Sequence, residues 1–372
     1  MVIFHLFLFF LASLYGLFIC FLIVSILRPL REKTIDQNKE HLLPGVSIVI
    51  PFRNEASNLG KLITSLNNQR YNGSVEIILV NDGSTDDYNN AISALPSNHP
   101  IKIIDSTFSP EKHLTSKQQA LELGIHSAAH DWIALTDADI QLEPHWLSSL
   151  MDHATQDTSL VFGHTVIRTG ERSGLFDWFQ AFQLETLFGV AYAFFRSGLA
   201  GSCMGNNVLV SKKAFNAIGG YTAMGYSITE DCDLLRTLRK KGYRIAATEP
   251  FSPTGVSAPS VKFRDYVNQL MRWAKGGFSG NLLLGGAGLL LGIQNILFIG
   301  GVTGVLTGPV ALIVFLNLLL TWLFIIIVFK KIQSRERALH FWPFYLLFLI
   351  ESFVIVVALV LRRPVIWKER RI

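Results

Sequence analysis

The stretch LTDADIQLEP (135–144) places Asp137 and Asp139 directly behind the apolar run WIAL. Side chains two residues apart on an extended segment point the same way, so the two carboxylates can address one ligand. A Mg2+ or Mn2+ ion suits them, because hard cations take oxygen ligands and Mg2+ is commonly held by one or two carboxylates plus substrate phosphates. A polar turn has the same composition, since Asp is favoured where strands turn. The pair alone does not choose between a metal, a base and a turn. Zinc has less support. Cys20, Cys203 and Cys232 are scattered, without a C-x-x-C, which fits a reduced compartment. His126 and His130 have i,i+4 spacing but no Glu between them, and read as a solvated helix face.

The segments around this pair alternate. GVSIVIPF (45–52), VEIILV (75–80), IKII (101–104) and WIALT (132–136) read as strands. ASNLGKLITSLNNQ sets Leu59, Leu62, Ile63 and Leu66 at helical spacing behind a Ser57 cap, and TSKQQALELGIHSAAH (115–130) is a second helix. Such alternation predicts a parallel, doubly wound α/β sheet, with ligands bound beyond the carboxyl ends of its strands. Three strands end in polar clusters: FRNE (52–55), NDGSTDD (81–87) and DAD (137–139). Their ends are expected side by side as one site.

Two later segments add chemistry. In SITEDCDLLRTLRKKGYR, Thr229 can cap a helix whose first turn holds Glu230 and Asp231, and charge–dipole complementarity alone accounts for acids there. In FRDYVNQLMRWAKGG, Gln269, Arg272 and Trp273 share one helical face. An interfacial helix with a snorkelling Arg and a belt Trp has the same pattern. Arg272 also suits phosphate, because its planar fork donates in pairs. Gly205, Asn206 and Asn207 allow close backbone approach before a strand.

The chain is too apolar for a purely soluble protein, with 50% hydrophobic and 16% charged residues among 372. The excess is localised. Residues 3–27 carry no Asp, Glu, Lys or Arg and are long enough to cross a bilayer. Without a basic start or a cleavage site, the stretch reads as an anchor rather than a signal peptide. Arg28, Arg31 and Lys33 follow it, which puts that end in the cytoplasm. The expected organisation is an anchor over 1–28, a cytoplasmic domain over 44–280, a membrane region of two or three helices over 282–361, and a basic tail over 362–372. Whether 282–303 spans, folds back or lies at the interface stays open, and with it the side of the tail. The net charge of +5 falls largely beside membrane segments, and no basic stripe interleaved with aromatics suggests nucleic acid.

VSIVIPFRNEASNL, VEIILVNDGSTDD, Lys117, DWIALTDADIQLEP, GNNVLVSKKAFNAIGGY, ITEDCDL and QLMRW occur in that order over 46–273. Together they resemble a membrane-anchored family 2 glycosyltransferase with the nucleotide-sugar-binding, Rossmann-like GT-A fold. The resemblance implies that Pro51, Arg53 and Glu55 line a nucleotide pocket, that Asp82 meets the base, and that Lys117 meets the base or diphosphate. It implies Asp137 near ribose and metal, Asp139 as a direct ligand of Mg2+ or Mn2+, and Asp231 as the general base of an inverting transfer. Gln269, Arg272 and Trp273 would contact the diphosphate and shape the acceptor pocket. The donor would be a nucleotide sugar, with uridine favoured.

The aromatic stretch 174–198 reads either as a buried core helix or as one lying in the headgroup layer, where a lipid acceptor would reach Asp231. With the basic tail's similarity to ceramide glucosyltransferase-like members, this favours single transfer to a lipid at the cell inner membrane. A processive polymer synthase of the poly-N-acetylglucosamine type and a non-catalytic membrane scaffold are the alternatives.

Overall fold

The computed structural model describes residues 2–28, 43–93, 96–199, 201–248, 254–280, 282–332, 335–360, 366–367 and 370–371. Arg31, Lys33 and most of the basic tail lie outside the described residues. A long apolar helix α1 (Val2–Leu27) comes first. Then follow β1 (Val46–Phe52), α2 (Ala56–Asn67), β2 (Val75–Asn81), α3 (Tyr88–Ser93), β3 (Ile101–Asp105), α4 (Ser116–Ser127) and β4 (Trp132–Leu135). The expected alternation is therefore present. Every residue of β1 is buried, because helices cover both faces of the sheet. Val49 packs into one core with Val80 and Leu135, while Ile48 and Ile50 pack into the other with Leu59 and Leu62. A side chain at Gly124 would collide with Val49, so glycine lets α4 seat on the sheet.

Helix starts follow local chemistry. Thr115 and Gln118 close a reciprocal capping box at the head of α4. α2 begins two residues earlier than expected, with Glu55 rather than Ser57 at the N-cap and no side-chain cap bond.

After β4 come β5 (Gln141–Leu142), α5 (Trp146–Met151), β6 (Thr158–Phe162), β7 (Thr165–Ile167), α6 (Leu175–Arg196) and β8 (Val208–Ser211). The domain continues through α7 (Lys212–Ala217), α8 (Gly220–Met224), α9 (Glu230–Lys240), β9 (Arg244–Ala247) and β10 (Gly255–Ser257). The main sheet has the order β3-β2-β1-β4-β8-β6-β9, and β5-β10-β7 form a small second sheet. The main sheet is mixed rather than wholly parallel. β3, β2, β1 and β4 are parallel, but β8 runs antiparallel to both β4 and β6. The chain leaves β6 at the site end, forms β7 and α6 there, and re-enters from that same end, so its next strand must run back.

α10 (Phe263–Gly280) leads into α11 (Leu282–Val302), α12 (Gly308–Lys331) and α13 (Phe341–Val360). Residues 282–302 thus form a continuous helix. Among the described residues, four segments are long and apolar enough to cross a membrane: Val2–Leu27, Gly285–Val302, Gly308–Lys331 and Arg337–Ala358. Asn317 holds three of these helices together, its amide donating to the Ala12 carbonyl (2.8 Å) and to Gln294 Oε1 (3.1 Å).

α6 joins the two halves of the molecule. Phe162 and His164 of the domain meet its Phe195 and Phe188. Phe179 packs on Phe344 and Phe348, Phe182 on Phe329, and Phe194 on Phe18 and Phe21. The stretch forms one helix, buried along much of its length and packed on the long apolar helices α1, α12 and α13. Arg337, just ahead of α13, pairs with the fully buried Glu185 of α6 and donates to Thr169 Oγ1 (2.9 Å).

Candidate active site

The three polar strand ends do converge. They border an open cleft whose wall includes Pro51, Arg53, Asp82, Lys117, Asp137 and Asp139. Glu230 at the start of α9 and Arg272 of α10 complete it. Parallel register explains the assembly: Phe52 lies opposite Asn81, and Val49 opposite Leu135, so the loops leave the sheet at one edge.

Each loop is tied to a neighbour. Arg53 Nη1 donates to the carbonyls of Asp82 (2.8 Å) and Gly83 (2.9 Å), bridging the β1 and β2 ends. Asn54 takes a left-handed conformation (φ 53°) and its Oδ1 accepts from the Thr85 amide. Ser116 donates to Asp82 Oδ1, which fastens that loop to α4.

Lys117 is the electrostatic centre. Its Nζ lies 2.9 Å from Asp137 Oδ1 and 2.9 Å from Glu230 Oε1. Burial alone would pull the ammonium's proton affinity down, but the two carboxylates outweigh that and hold it above the usual lysine range.

Asp231 sits one layer behind. Its Oδ2 accepts from the Gly205 amide (2.7 Å) and its Oδ1 from the Cys232 amide (2.8 Å). It borders a second, narrow pocket shared with Tyr221 and Glu230. Burial, then the neighbouring Glu230, push its carboxyl above the ordinary range, against the pull of Lys117, the Cys232 amide and Arg272. A Cβ at Gly205 would stand 2.7 Å from Asp231 Oδ2, so glycine is required for the amide to reach the carboxylate. Asn207, next but one, is fully buried. It accepts from Trp146 Nε1 (2.9 Å) and donates to the His164 carbonyl (3.1 Å). Burial pushes the Cys203 and Cys232 thiols up, which leaves both protonated and inert at neutral pH.

α10 lies close against the start of α9, since a Cβ at Gly276 would collide with the Thr229 side chain. That contact brings Arg272 to the cleft. Gln269 and Trp273 are half-buried on the same helix and are not part of the cleft wall, and Trp273 packs on the main core. Glu55 is also set back, buried and accepting from Asn58 Nδ2 (2.6 Å). Glu230 is a wall residue that sequence reading treated only as a first-turn acid. Its signal was adjacency to Asp231, but nothing local indicates a pairing with Lys117.

The donor set fits a hard cation held jointly with a ligand. Asp137 and Asp139 both face the cleft, and among the described residues no group of three or more His, Cys, Asp and Glu is placed to hold a metal alone. Two carboxylates leave coordination positions for phosphate oxygens and water, as Mg2+ or Mn2+ requires.

The model of glycosyl transferase family 21 matches residues 8–372, nearly the whole chain. The chain belongs to that family. It is a glycosyltransferase, as its motifs led us to expect. Over 126 residues it is 30% identical to a dolichol-phosphate mannosyltransferase of Pyrococcus furiosus, covering 34% of each chain. Over 250 residues it is 26% identical to a poly-beta-1,6-N-acetyl-D-glucosamine synthase of Staphylococcus aureus, covering 66% of this chain and 57% of the relative. The chain thus spans between a third and somewhat over half of these relatives. A mannosyltransferase from Pyrobaculum calidifontis, solved with GDP-Man and Mn2+, superposes with a TM-score of 0.56 at 14% identity, over 96% of this chain and 99% of that one. The likeness identifies the glycosyltransferase as having the GT-A fold.

Proposed function

We propose that this glycosyltransferase moves a sugar from a nucleoside-diphosphate donor, by motif resemblance a UDP sugar, to the hydroxyl of a membrane lipid, with inversion and with a divalent cation. The observation that carries the reading is the cleft itself. It sets Asp137 and Asp139 opposite two cations, Lys117 and Arg272, with Asp231 immediately behind Glu230.

The residues divide the work. Arg53 and Asp82 border the nucleotide end, with Glu55 bracing the loop behind Pro51 and Arg53. Lys117 and Arg272 attract the diphosphate, Arg272 through paired donors. Asp137 and Asp139 would hold Mg2+ or Mn2+, which when bound stabilises the charge of the departing nucleoside diphosphate. Gln269 and Trp273 shape the acceptor side from the α10 face next to Arg272. Asp231 takes the acceptor's hydroxyl proton as that oxygen bonds to the anomeric carbon and the bond from that carbon to the diphosphate oxygen breaks. Each Asp231 oxygen is engaged by one amide, and a carboxylate oxygen has a second lone pair for the proton. Its raised proton affinity suits a base.

The lipid acceptor is supported by α6, which carries the membrane helices up against the domain. The dolichol-phosphate name of one relative points the same way. Arg28 at the end of α1 supports a cytoplasmic domain at the inner membrane. A second reading, polymer synthesis, is favoured by the longer match to the poly-N-acetylglucosamine synthase.

Membranes holding the wild type or Asp231→Asn, given labelled nucleotide sugars with Mn2+ or Mg2+, test both readings. Metal-dependent label in the organic phase, lost in the variant, is the expected result. Insoluble or high-mass label establishes the polymer reading instead, and product that persists in Asp231→Asn removes the base.

A further inference from the structure

Lys117 lies between two acids that belong to different parts of the machinery. Asp137 follows β4 on the donor side, whereas Glu230 opens α9, the helix that carries Asp231. Glu230 is 6% exposed, and the Lys117 side chain 22%. A buried carboxylate needs a partner, and the only ion pair drawn for Glu230 among the described residues is with Lys117. Each acid lies 2.9 Å from the same Nζ, so neither owns the ammonium.

We propose that Glu230 is a positioning residue that shares Lys117 with Asp137, keeping the ammonium midway in the cleft where the donor's diphosphate binds. The inference rests on the reading of the cleft as a nucleoside-diphosphate site. It adds a role for a residue that the motif resemblance leaves without one.

The physical reason is competition. With Glu230 present, Asp137 can turn toward other partners while Lys117 keeps a counter-charge and stays in place. Without that charge, Asp137 is the one acid left against Lys117 among the described residues, and the ammonium draws it into a closed pair. The ammonium and the carboxylate then neutralise each other, and both are withdrawn from the diphosphate and whatever accompanies it. Asp137 has about a third of its side-chain surface open and can be pulled either way, whereas Glu230 is fixed in the first turn of α9. The shared ammonium also ties the base-bearing helix to the donor side, so donor affinity and the setting of α9 depend on one cation.

The test is UDP affinity, with GDP in parallel, measured by calorimetry on the full chain in detergent with Mn2+. Glu230→Gln is expected to weaken the nucleotide about ten-fold with an unchanged melting temperature. Glu230→Asp, which keeps the charge on a shorter arm, recovers at least half of the loss on a logarithmic scale. In a Lys117→Met background, where there is no ammonium to share, Glu230→Gln changes affinity by less than two-fold. That non-additivity is the signature of action through Lys117. An equal ten-fold loss in both backgrounds overturns the proposal, because Glu230 then acts on its own. A Glu230→Asp protein as weak as Glu230→Gln overturns it as well. If the wild type binds neither nucleotide, the donor-site reading itself falls and takes this inference with it. That outcome differs from wild-type binding that Glu230→Gln leaves untouched, which sinks the inference alone.

Discussion

Among the described residues two cations are paired with well-buried carboxylates, in opposite styles. At the junction, Arg337 meets the fully buried Glu185 while a second nitrogen reaches Thr169, and its guanidinium lies 5.3 Å from the Trp178 ring centroid. Every feature there fixes one arrangement. In the cleft, Lys117 is a point charge on a flexible stem, held equally by two acids and facing open space. Arg is suited to a rigid fork and Lys to a charge that can change partners. The first pair serves to hold the domain on its long apolar helices, and the second is poised to respond to a ligand.

Substitutions can break this contrast. The largest expected effect is on chemistry. Asp231→Asn should lose about a thousand-fold in turnover, the scale of a general base, with no loss of thermal stability. A comparable fall in melting temperature would show that Asp231 is structural instead. Next, Arg337→Ala should cost about 3–5 kcal/mol of stability, because it leaves Glu185 buried without its cation. Turnover per folded molecule should stay near wild type. Denaturant unfolding in detergent gives the first number and a specific-activity assay the second.

His164 sharpens the comparison from the domain side. It is fully buried and stacked on Phe188, and among the described residues neither ring nitrogen has a hydrogen-bond partner. Burial, then the nearby Arg337, push its pKa down to about 3. Between that value and the ordinary 6.5, the unfolded chain takes up a proton that the folded one refuses. Stability therefore rises with pH through this window, by up to about 1.4 kcal/mol per pH unit. His164→Leu should flatten that slope, and unfolding curves at pH 5 and 7 would show whether it does. The pH dependence of turnover has a different origin. Asp231 must be deprotonated to act, so activity should fall as pH drops through a midpoint above the usual carboxylate range. Glu230→Gln, by removing a like charge, should move that midpoint down. Lys117→Met should also cost stability, about 1–3 kcal/mol, because it leaves the buried Glu230 without its cation while the half-open Asp137 is screened by solvent.

The same contrast separates what the sequence discloses from what it hides. Asp82 and Asp137 are legible because strand ends announce themselves through periodicity and parallel strands bring those ends together, whereas Lys117 is reached only through the motif resemblance. The antiparallel course of β8 was not legible. VLVS reads the same in either direction, and only the path of α6 at the site end decides it. Residues 282–302 were ambiguous because glycines weaken the helical signal, yet packing against α1 and α12 makes them a helix. The two ion pairs were hidden for one reason. Glu185 and Arg337 stand 152 residues apart, and Glu230 and Lys117 belong to helices with no local relation. Asp231 was found by motif, but its place behind Glu230, held by Gly205, is a matter of tertiary packing.

The seating of α6 has a practical side. Residues 44–280 contain the whole cleft and would seem the natural piece to express alone. Cutting there would strip Phe344, Phe348 and Phe329 from Phe179 and Phe182, and Phe18 and Phe21 from Phe194. Gly189, now filled by Val328, would become an open notch in the same face. A contiguous apolar stripe of that kind on a free domain invites self-association. Such a fragment should precipitate or cling to detergent, and a useful preparation will have to keep the helices that give this face its cover.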